Sequence, residues 1–356
     1  MARTLDGRLA YADLLRVLAA LAVVVLHISA GWLSETSVGS SHWTVMVTYD
    51  CLVRWCVPMF VMLSGMFLLD PKKGVGLRDI FLKYILRVLI ALAVWGTFYA
   101  LLDYGHSGLH FTWAGIKSAF SHVLWADTHY HLWFLYMMVG LYLVTPILRA
   151  FVRGASRGDL HWFLLLAFLL CSLLPTLQAL FPERMALPSA WTNRFGVQLI
   201  LGYVGYYVGG YYLKTYTLSR PAEFLIYILG ILGAVATVWG TCALSGRSGV
   251  LVSALMEYRA PNVVFMSTAI FVLFRYVLGV SDERSRRQRL GGVARVSFGI
   301  FLSHEFFIML LRHFDISTLS FPPVASIPVL AAAVFLCAFG VAWLLSKIPL
   351  VGRYIT

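Results

Sequence analysis

The sequence predicts an all-α, polytopic membrane protein with about ten transmembrane helices and both termini in the cytoplasm. Three observations predict this class. First, 60% of the 356 residues are hydrophobic and only 12% are charged, whereas soluble domains are about 45–50% apolar and about 25% charged. Second, apolar runs of about 20 residues, the length that spans a bilayer, recur along the chain. Third, positive charges concentrate in alternate loops between these runs.

The apolar runs predict ten helices within a single transmembrane domain, residues 1–356. Their predicted boundaries are accurate to about 2–4 residues. The predicted helices are Leu9–Gly31, Trp43–Leu69, Ile80–Leu102, His131–Ala150, His161–Leu180, Phe195–Leu213, Ala222–Leu244, Glu257–Gly279, Gly292–His313 and Ala325–Ser346. A further segment, Trp113–Leu124, is too short to span and is predicted to be an interfacial helix.

The predicted orientation follows from the 28 Lys and Arg residues. Eighteen lie in one set of alternate loops and six in the other, and the positive-inside rule puts the richer side in the cytoplasm. Topology therefore accounts for the net charge of +12 without a nucleic-acid partner. The other four lie inside apolar segments, where a charge facing lipid costs about 2.5–3.5 kcal/mol. These four are expected to face protein, water or a bound anion: Arg16, Arg54, Arg87 and Arg275.

The first helix combines an acid, a base and a cation. Eleven residues separate Arg16 from His27, which puts both within about 20° of one helix face and about 16 Å apart along the axis. Asp13, one turn before Arg16, is positioned to orient the guanidinium. Histidine titrates near neutral pH and can serve as base and then as acid. The spacing fits equally well a structural role, in which the His27 ring is hydrogen-bonded at the membrane interface and Arg16 reaches lipid phosphates.

No metal site and no tightly bound cofactor are predicted. The histidines of the predicted outer loops match no compact ligand pattern, and few carboxylates accompany them. These histidines are His42, His106, His110, His122 and His129. The five cysteines also lack paired ligand spacing and are expected to be small buried apolar residues.

Four motifs follow one another along the predicted helices. Arg16 and His27 form a basic-residue, ten-residue, histidine pattern in the first helix, and an Arg-x-x-x-Pro-x-Phe-x-x-x-Ser-Gly stretch runs from Arg54 to Gly65 in the second. The fourth helix opens with His-Leu-Trp-Phe at His131 and continues to a Tyr-Leu-x-x-Pro ending at Pro146; the ninth contains Ser-Phe-Gly-Ile-Phe-Leu-Ser-His, which ends at His304. In this order the motifs resemble those of the acyltransferase 3 family of integral membrane acyltransferases.

The resemblance implies a membrane-bound O-acyltransferase, most simply an O-acetyltransferase, in the bacterial cytoplasmic membrane. In that family an acetyl or other short acyl group passes from cytoplasmic acyl-coenzyme A to a hydroxyl of an extracytoplasmic or lipid-linked glycan. The expected partners are therefore acetyl-coenzyme A, a glycan or lipid-linked saccharide, and membrane lipids. No motif encodes the acceptor sugar, the acyl length or the oligomeric state.

On this resemblance, the coenzyme A phosphates need cations at the cytoplasmic face. Arg16, Lys83 and Arg87 are the candidates. The chain departs here from the family, in which an Arg-x-x-Arg pattern often enters the third helix: Tyr84 stands where the first arginine would be.

The resemblance also implies the residues that do the chemistry. His27 is the candidate general base, Asp13 supports the constellation, and Arg54 is a candidate stabiliser of the developing oxyanion. A transient acyl-imidazole on His27 is the competing mechanism. Five further residues are expected to contact substrate, although the aromatic ones fit membrane packing as well: His131, Trp133, Tyr136, His304 and Glu305.

Two functions from other classes stay open at the level of sequence. A proton-coupled transporter or flippase could use His27, Asp13 and Arg16 as a relay, because intramembrane ionisable residues serve that purpose too. The sequence has neither the inverted halves nor the paired broken helices common among transporters. A catalytically inactive sensor or scaffold on the same frame is the third reading, and labelled acetyl-coenzyme A discriminates among the three.

Overall fold

A computed structural model of the chain describes residues 9–103, 112–185, 202–278, 290–349 and 352–356. Within these ranges the protein is helical and has no β-strand, which confirms the all-α membrane class. The principal helices are α1 Ala10–Ala30, α2 Ser41–Val53, α3 Cys56–Leu68, α4 Leu77–Asp103, α5 Trp113–Leu124, α6 Trp133–Gly154, α7 Arg157–Leu180, α8 Val204–Thr215, α9 Arg220–Ser248, α10 Pro261–Tyr276, α11 Ser297–His313 and α12 Pro323–Leu345.

Each of the ten predicted spans contains helix in the described ranges. Seven spans are long and apolar enough to cross a bilayer. The helices α8, α10 and α11 are shorter, with 12, 16 and 17 residues, and the first part of the predicted helix Phe195–Leu213 lies outside the described residues. The count of ten and the side of the termini therefore stay predictions. The short helix predicted at Trp113–Leu124 is present as α5 with the same bounds.

The second predicted helix is interrupted at Arg54 and Trp55, which separate α2 from α3. Pro58 explains the break, because it has no amide hydrogen to donate to the carbonyl of Arg54 and its ring crowds that carbonyl. The turn occurs where the chain carries a charged pair. Asp50, on the last turn of α2, lies 2.6 Å from the Arg54 guanidinium.

The first helix, α1, lies in the middle of the bundle and contacts α2, α3, α11 and α12. Small side chains on α1, among them Ala12, Ala19 and Ala20, are buried there. The contact between α3 and α8 is closer still: a Cβ on Gly65 would overlap the carbonyl of Tyr207. Small residues permit this close approach of the two helix backbones. Inside a membrane, the close packing that results holds helices together in place of the hydrophobic effect.

Candidate functional site

Four histidines from three separate parts of the chain meet beside the His27 end of α1. The His27 ring lies 5.1 Å from that of His304 on α11, and the His304 ring lies 5.4 Å from that of His131. His129 is 5.0 Å from His131 on the short turn that precedes α6. These histidines, together with Tyr130 and Glu305, are called the histidine cluster below.

Tyr130 connects His27 to Glu305. Its hydroxyl lies 3.1 Å from Nδ1 of His27 and donates to Oε2 of Glu305 at 2.8 Å. Because a tyrosine hydroxyl has only one proton to donate, the His27 Nδ1 must be the donor in the other contact. This network assigns the Nδ1–H tautomer to His27 and leaves its Nε2 with a lone pair, as a base requires.

The other oxygen of Glu305 lies near a second histidine. Oε1 is 4.0 Å from Nε2 of His129, and Oδ1 of Asp103 is 3.7 Å from the same nitrogen. Burial lowers the pKa of His129 to about 4, so its ring is neutral at physiological pH. Nδ1 of His129 lies 2.9 Å from Nδ1 of His131, so one ring must donate and the other accept. Hydrogen bonds therefore form two groups in the cluster, His129 with His131 and Tyr130 with His27 and Glu305, and the carboxylates of Glu305 and Asp103 lie within 4.0 Å of His129.

Two imidazole nitrogens of the cluster are available to a ligand. Nδ1 of His304 donates to the carbonyl of Phe301 at 2.6 Å, so its Nε2 is an acceptor. Within the described residues, Nε2 of both His304 and His131 is buried without a hydrogen-bond partner. Because buried polar atoms in proteins are nearly always paired, these two nitrogens suit a polar group of a bound substrate.

Arg54 supplies a positive charge next to the cluster. It pairs with Asp50, which is 1% exposed, and its guanidinium lies 5.5 Å from the ring centre of Tyr258. It is close enough to His27 to act on it electrostatically. Its Nε is buried with no partner among the described residues, so the guanidinium retains a hydrogen-bond donor despite the ion pair.

A cavity of about 490 Å³ opens near the Arg16 end of α1, between α3, α4 and α11. Its volume lies in the range of about 300–1,000 Å³ typical of small-molecule sites. Four cations and no carboxylate line it in the described part of the chain; the cations are Arg16, Lys73, Arg87 and Arg295. This basic cavity therefore attracts anions.

Two cations of the basic cavity, Arg16 and Arg87, are held in place by neighbouring groups. Arg16 lies 3.5 Å from the Asp13 carboxylate, as predicted from their spacing, and stacks at 5.0 Å on the ring of Phe67. Arg87 donates to the carbonyl of Thr356 and stacks on Phe298. Preorganised guanidinium groups bind a phosphate at lower entropic cost than free side chains do.

Lys73 comes from a loop that two further cations hold. Arg149, 7% exposed, donates to the carbonyls of Leu68, Asp70 and Lys73. Lys214 lies 2.6 Å from the Asp70 carboxylate. Although burial alone would raise the pKa of Asp70, the hydrogen bond from Lys214 lowers it below its usual value. The loop that carries Lys73 is thus fixed at several points.

The basic cavity ends beside the histidine cluster. Phe134 and Phe301 line the cavity and lie 5.2 Å apart. The ring of Phe301 lies 5.9 Å from His131 and 5.9 Å from His304. A single layer of aromatic rings therefore separates the anion-attracting space from the imidazoles, along the side of α1 that carries both Arg16 and His27.

Some of the predicted site residues lie elsewhere. Lys83 is 72% exposed, pairs with Asp79 and does not line the basic cavity. The physical reason is a π-helical segment, Ile80–Ile85, which changes the register between Lys83 and Arg87 that an α-helix would put on one face. Asp13 accompanies Arg16 and lies about 14 residues of helix, roughly 21 Å, from His27.

The two predicted aromatic residues of α6 have different surroundings. Tyr136 donates to the carbonyl of Val123 at 2.9 Å, which ties α6 to α5 and favours the packing role. Trp133 is 38% exposed and stacks at 5.8 Å on Tyr258, the residue beneath Arg54. The ring of Tyr258 therefore lies between Trp133 and the Arg54 guanidinium.

Sequence reasoning missed several residues of both regions. The loop pattern places His129 with the other outer-loop histidines and gives Tyr130 no role, although the adjacent His-Tyr-His of residues 129–131 indicates that three hydrogen-bonding rings enter one turn. Lys73 and Arg295 line the basic cavity, although no sequence motif singles them out. His106 and His110 lie outside the described residues, and within those residues no group of three or more ligands has metal-binding geometry.

A family model described as an acyltransferase domain matches residues 9–347. Comparisons with curated proteins and with solved structures gave no match. The matched region begins one residue before α1 and extends beyond α12, so it includes both the basic cavity and the histidine cluster. The chain therefore belongs to the acyltransferase 3 family and is a membrane acyltransferase.

Proposed function

We propose that the protein transfers an acetyl group from acetyl-coenzyme A to a hydroxyl of a glycan, with His27 as general base. One observation supports this proposal: a cavity lined by four cations and a buried histidine cluster lie on opposite sides of the rings of Phe134 and Phe301. The proposed donor site and the proposed base thus lie on the same side of α1. The bacterial cytoplasmic membrane is the proposed location.

The donor would enter at the basic cavity. Coenzyme A carries a pyrophosphate and a 3′-phosphate, and guanidinium groups bind phosphates through paired, charge-assisted hydrogen bonds. Arg16, Arg87 and Arg295 are the proposed phosphate ligands. The predicted topology puts this end of α1 in the cytoplasm, where coenzyme A thioesters are made. The thin pantetheine arm would extend past Phe134 and Phe301 toward His27.

At the cluster, the acceptor hydroxyl oxygen would attack the thioester carbonyl carbon while Nε2 of His27 takes the hydroxyl proton. The Nδ1–H contact to Tyr130, and through it to Glu305, would stabilise the imidazolium as it forms. When the C–S bond breaks, the imidazolium would return the proton to the leaving sulfur, so the products are the ester and free coenzyme A. Arg54 is the proposed stabiliser of the carbonyl oxyanion.

The competing route has Nε2 of His27 attack the thioester itself and form an acyl-imidazole. The two routes differ in what remains on the protein when no acceptor is present. Rapid quenching of wild-type protein with [¹⁴C]acetyl-coenzyme A, followed by mass spectrometry of the α1 peptide, distinguishes them. Acetyl on His27 would require the covalent route, and its absence during ongoing donor hydrolysis favours the general base.

The proposal is tested with purified protein in nanodiscs and labelled acetyl-coenzyme A. Donor binding measured by calorimetry and slow release of acetate to water are expected from wild type, and both need no knowledge of the acceptor. A transporter or flippase would leave the thioester intact, and an inactive scaffold would bind without turnover. Absence of both binding and acetate release would overturn the proposed function.

A further inference from the structure

Tyr99 contacts the histidine cluster from α4 and has no part in the proposed chemistry. It lies one turn before Asp103 near the end of α4, and its side chain is fully buried. A buried tyrosine usually finds a hydrogen-bond partner for its hydroxyl, because an unpaired polar group inside a protein costs free energy. The partners of this hydroxyl therefore indicate what Tyr99 does.

Both partners of the Tyr99 hydroxyl are backbone groups of α11. The hydroxyl donates to the carbonyl of Leu302 at 2.7 Å and accepts from the amide of Phe306 at 3.1 Å. A carbonyl and an amide four residues apart are the partners of one α-helical hydrogen bond. A side chain that enters this ladder changes the local course of a helix, so the hydroxyl fixes the shape of one particular turn of α11.

The turn that Tyr99 holds carries two members of the histidine cluster. His304 and Glu305 both lie between the two residues that the hydroxyl contacts. The His304 ring is 5.1 Å from that of His27. Glu305 accepts from the hydroxyl of Tyr130 at 2.8 Å, and that hydroxyl lies 3.1 Å from Nδ1 of His27. A displacement of this turn therefore moves the groups that orient His27.

The ring of Tyr99 packs against the other histidines of the cluster. Its centre lies 4.9 Å from that of His131 and 5.1 Å from that of His129. Trp95, one turn earlier on α4, stacks on the same ring at 6.0 Å and donates its Nε1–H to the carbonyl of Ile355 at 3.2 Å. Since aromatic contacts have preferred geometries, the ring is held against both imidazoles while the hydroxyl holds α11.

We propose that Tyr99 is a positioning residue for His27. Its hydroxyl fixes the turn that carries His304 and Glu305, and Glu305 in turn fixes the hydroxyl of Tyr130. Without the Tyr99 hydroxyl, the carbonyl and the amide that it contacts have only each other as partners, so the turn relaxes and Glu305 shifts relative to Tyr130. The effect on turnover rests on the proposed function, whereas the effect on the His27 ring rests on these contacts alone.

The test removes one buried tyrosine hydroxyl at a time. Tyr99→Phe loses the contacts to α11 and keeps the ring against His129 and His131. The matched control is Tyr207→Phe, because Tyr207 is also fully buried, its hydroxyl lies 2.9 Å from Oγ1 of Thr145, and it does not line the basic cavity. Each variant loses a buried hydroxyl that bridges two helices, so both are expected to be somewhat less heat-stable.

Acetate release and calorimetric binding of acetyl-coenzyme A are measured for both variants in nanodiscs. Tyr99→Phe is expected to slow acetate release by about 5- to 20-fold and to leave donor affinity within about twofold of wild type. Tyr207→Phe is expected to retain both. Wild-type turnover in folded Tyr99→Phe, or an equal decrease in Tyr207→Phe, would overturn the inference.

A double-mutant cycle with Tyr130→Phe separates positioning from a general loss of activity. On the Tyr130→Phe background, Tyr99→Phe is expected to slow acetate release by less than about twofold, because the contact through which it acts has already been removed. Independent effects would multiply instead. The same fold-decrease on both backgrounds would overturn the inference.

Solid-state ¹⁵N NMR of histidine-labelled protein gives a measurement that needs no activity. The ring signals of His27 are those lost in His27→Ala, and wild type is expected to show the Nδ1–H tautomer. Tyr99→Phe is expected to add signal from the Nε2–H tautomer, while Tyr207→Phe should leave the His27 signals unchanged. Unaltered His27 signals in folded Tyr99→Phe would contradict the positioning role.

A second variant tests the same contact if Tyr99→Phe does not fold. Phenyllactic acid in place of Phe306 removes the amide hydrogen that the Tyr99 hydroxyl accepts, and it is expected to slow acetate release and alter the His27 signals in the same direction. Wild-type behaviour of that variant would overturn the inference and leave the proposed function. Absence of acetate release from wild type, with altered His27 signals in Tyr99→Phe, would remove the proposed function and keep Tyr99 as the residue that orients His27.

Discussion

The basic cavity and the histidine cluster lie at opposite ends of the same side of α1 and are built in different ways. Cluster side chains hydrogen-bond to one another, as Tyr130 does to both His27 and Glu305. The cavity cations are instead held separately, Arg87 by a backbone oxygen of Thr356 and Arg16 by the Asp13 carboxylate.

This difference teaches what each region is suited to do. A linked network fixes tautomers and passes the effect of one proton to its neighbours, which suits chemistry. Four cations that line one cavity create a positive potential in it, which favours binding of a phosphate. Changes in the cluster should therefore reduce turnover, and changes in the cavity should reduce donor affinity.

The largest effect is expected from His27→Ala. Loss of a positioned general base lowers rates by about 100- to 10,000-fold, while donor affinity should stay within about twofold because the basic cavity is unchanged. Acetate release and calorimetric binding of acetyl-coenzyme A measure the two quantities. Wild-type turnover in a folded His27→Ala protein would show that the base is elsewhere.

Tyr130→Phe is expected to slow turnover by about 10- to 100-fold. The phenyl ring keeps its volume and loses the oxygen that accepts from Nδ1 of His27, and a hydrogen bond to a charged group contributes about 1.5–3 kcal/mol. The decrease should appear in kcat with KM for the donor unchanged. An effect confined to thermal stability, with normal kcat, would reduce Tyr130 to a packing residue.

Arg16→Ala is expected to weaken donor binding by about tenfold or more, since a charge-assisted contact to phosphate is removed. Lys83→Ala is the matched control, because Lys83 is exposed and paired with Asp79 outside the cavity; its affinity should equal that of wild type. Calorimetry with acetyl-coenzyme A checks both. Equal losses in the two variants would show that bulk positive charge, not the cavity, attracts the donor.

The smallest effect is expected from Tyr136→Phe. Its hydroxyl ties α6 to the carbonyl of Val123, so the loss should be about 1 kcal/mol of stability, without change in donor affinity or acetate release. Thermal unfolding in nanodiscs, together with the same two assays, measures this. A tenfold loss of turnover at unchanged stability would return Tyr136 to the substrate contacts predicted from sequence.

Much of the site could be predicted because local spacing decides it. An uninterrupted α1 puts Asp13 one turn from Arg16, and the structure brings them within 3.5 Å. The binding role of Lys83 stays a prediction. Its exposed position beside Asp79 could not be foreseen, since one π-helical segment rotates the chain before Arg87 and no residue type in the sequence indicates such a segment.

Partners that are far apart in sequence could not be predicted in the same way. Tyr130 and Glu305 are 175 positions apart, and their contact depends on how the turn before α6 packs against α11. The same holds for Lys73, which faces the basic cavity because Arg149 holds its loop.

By itself, the sequence determined the membrane class, the position of the helices and the motifs in them, because hydrophobic length and helical period are properties of neighbouring residues. Only the tertiary structure decided which histidines share a network and which cations face a common space. Those features depend on packing between distant helices, and in a bilayer that packing follows close side-chain and backbone fit, which a hydropathy pattern does not specify.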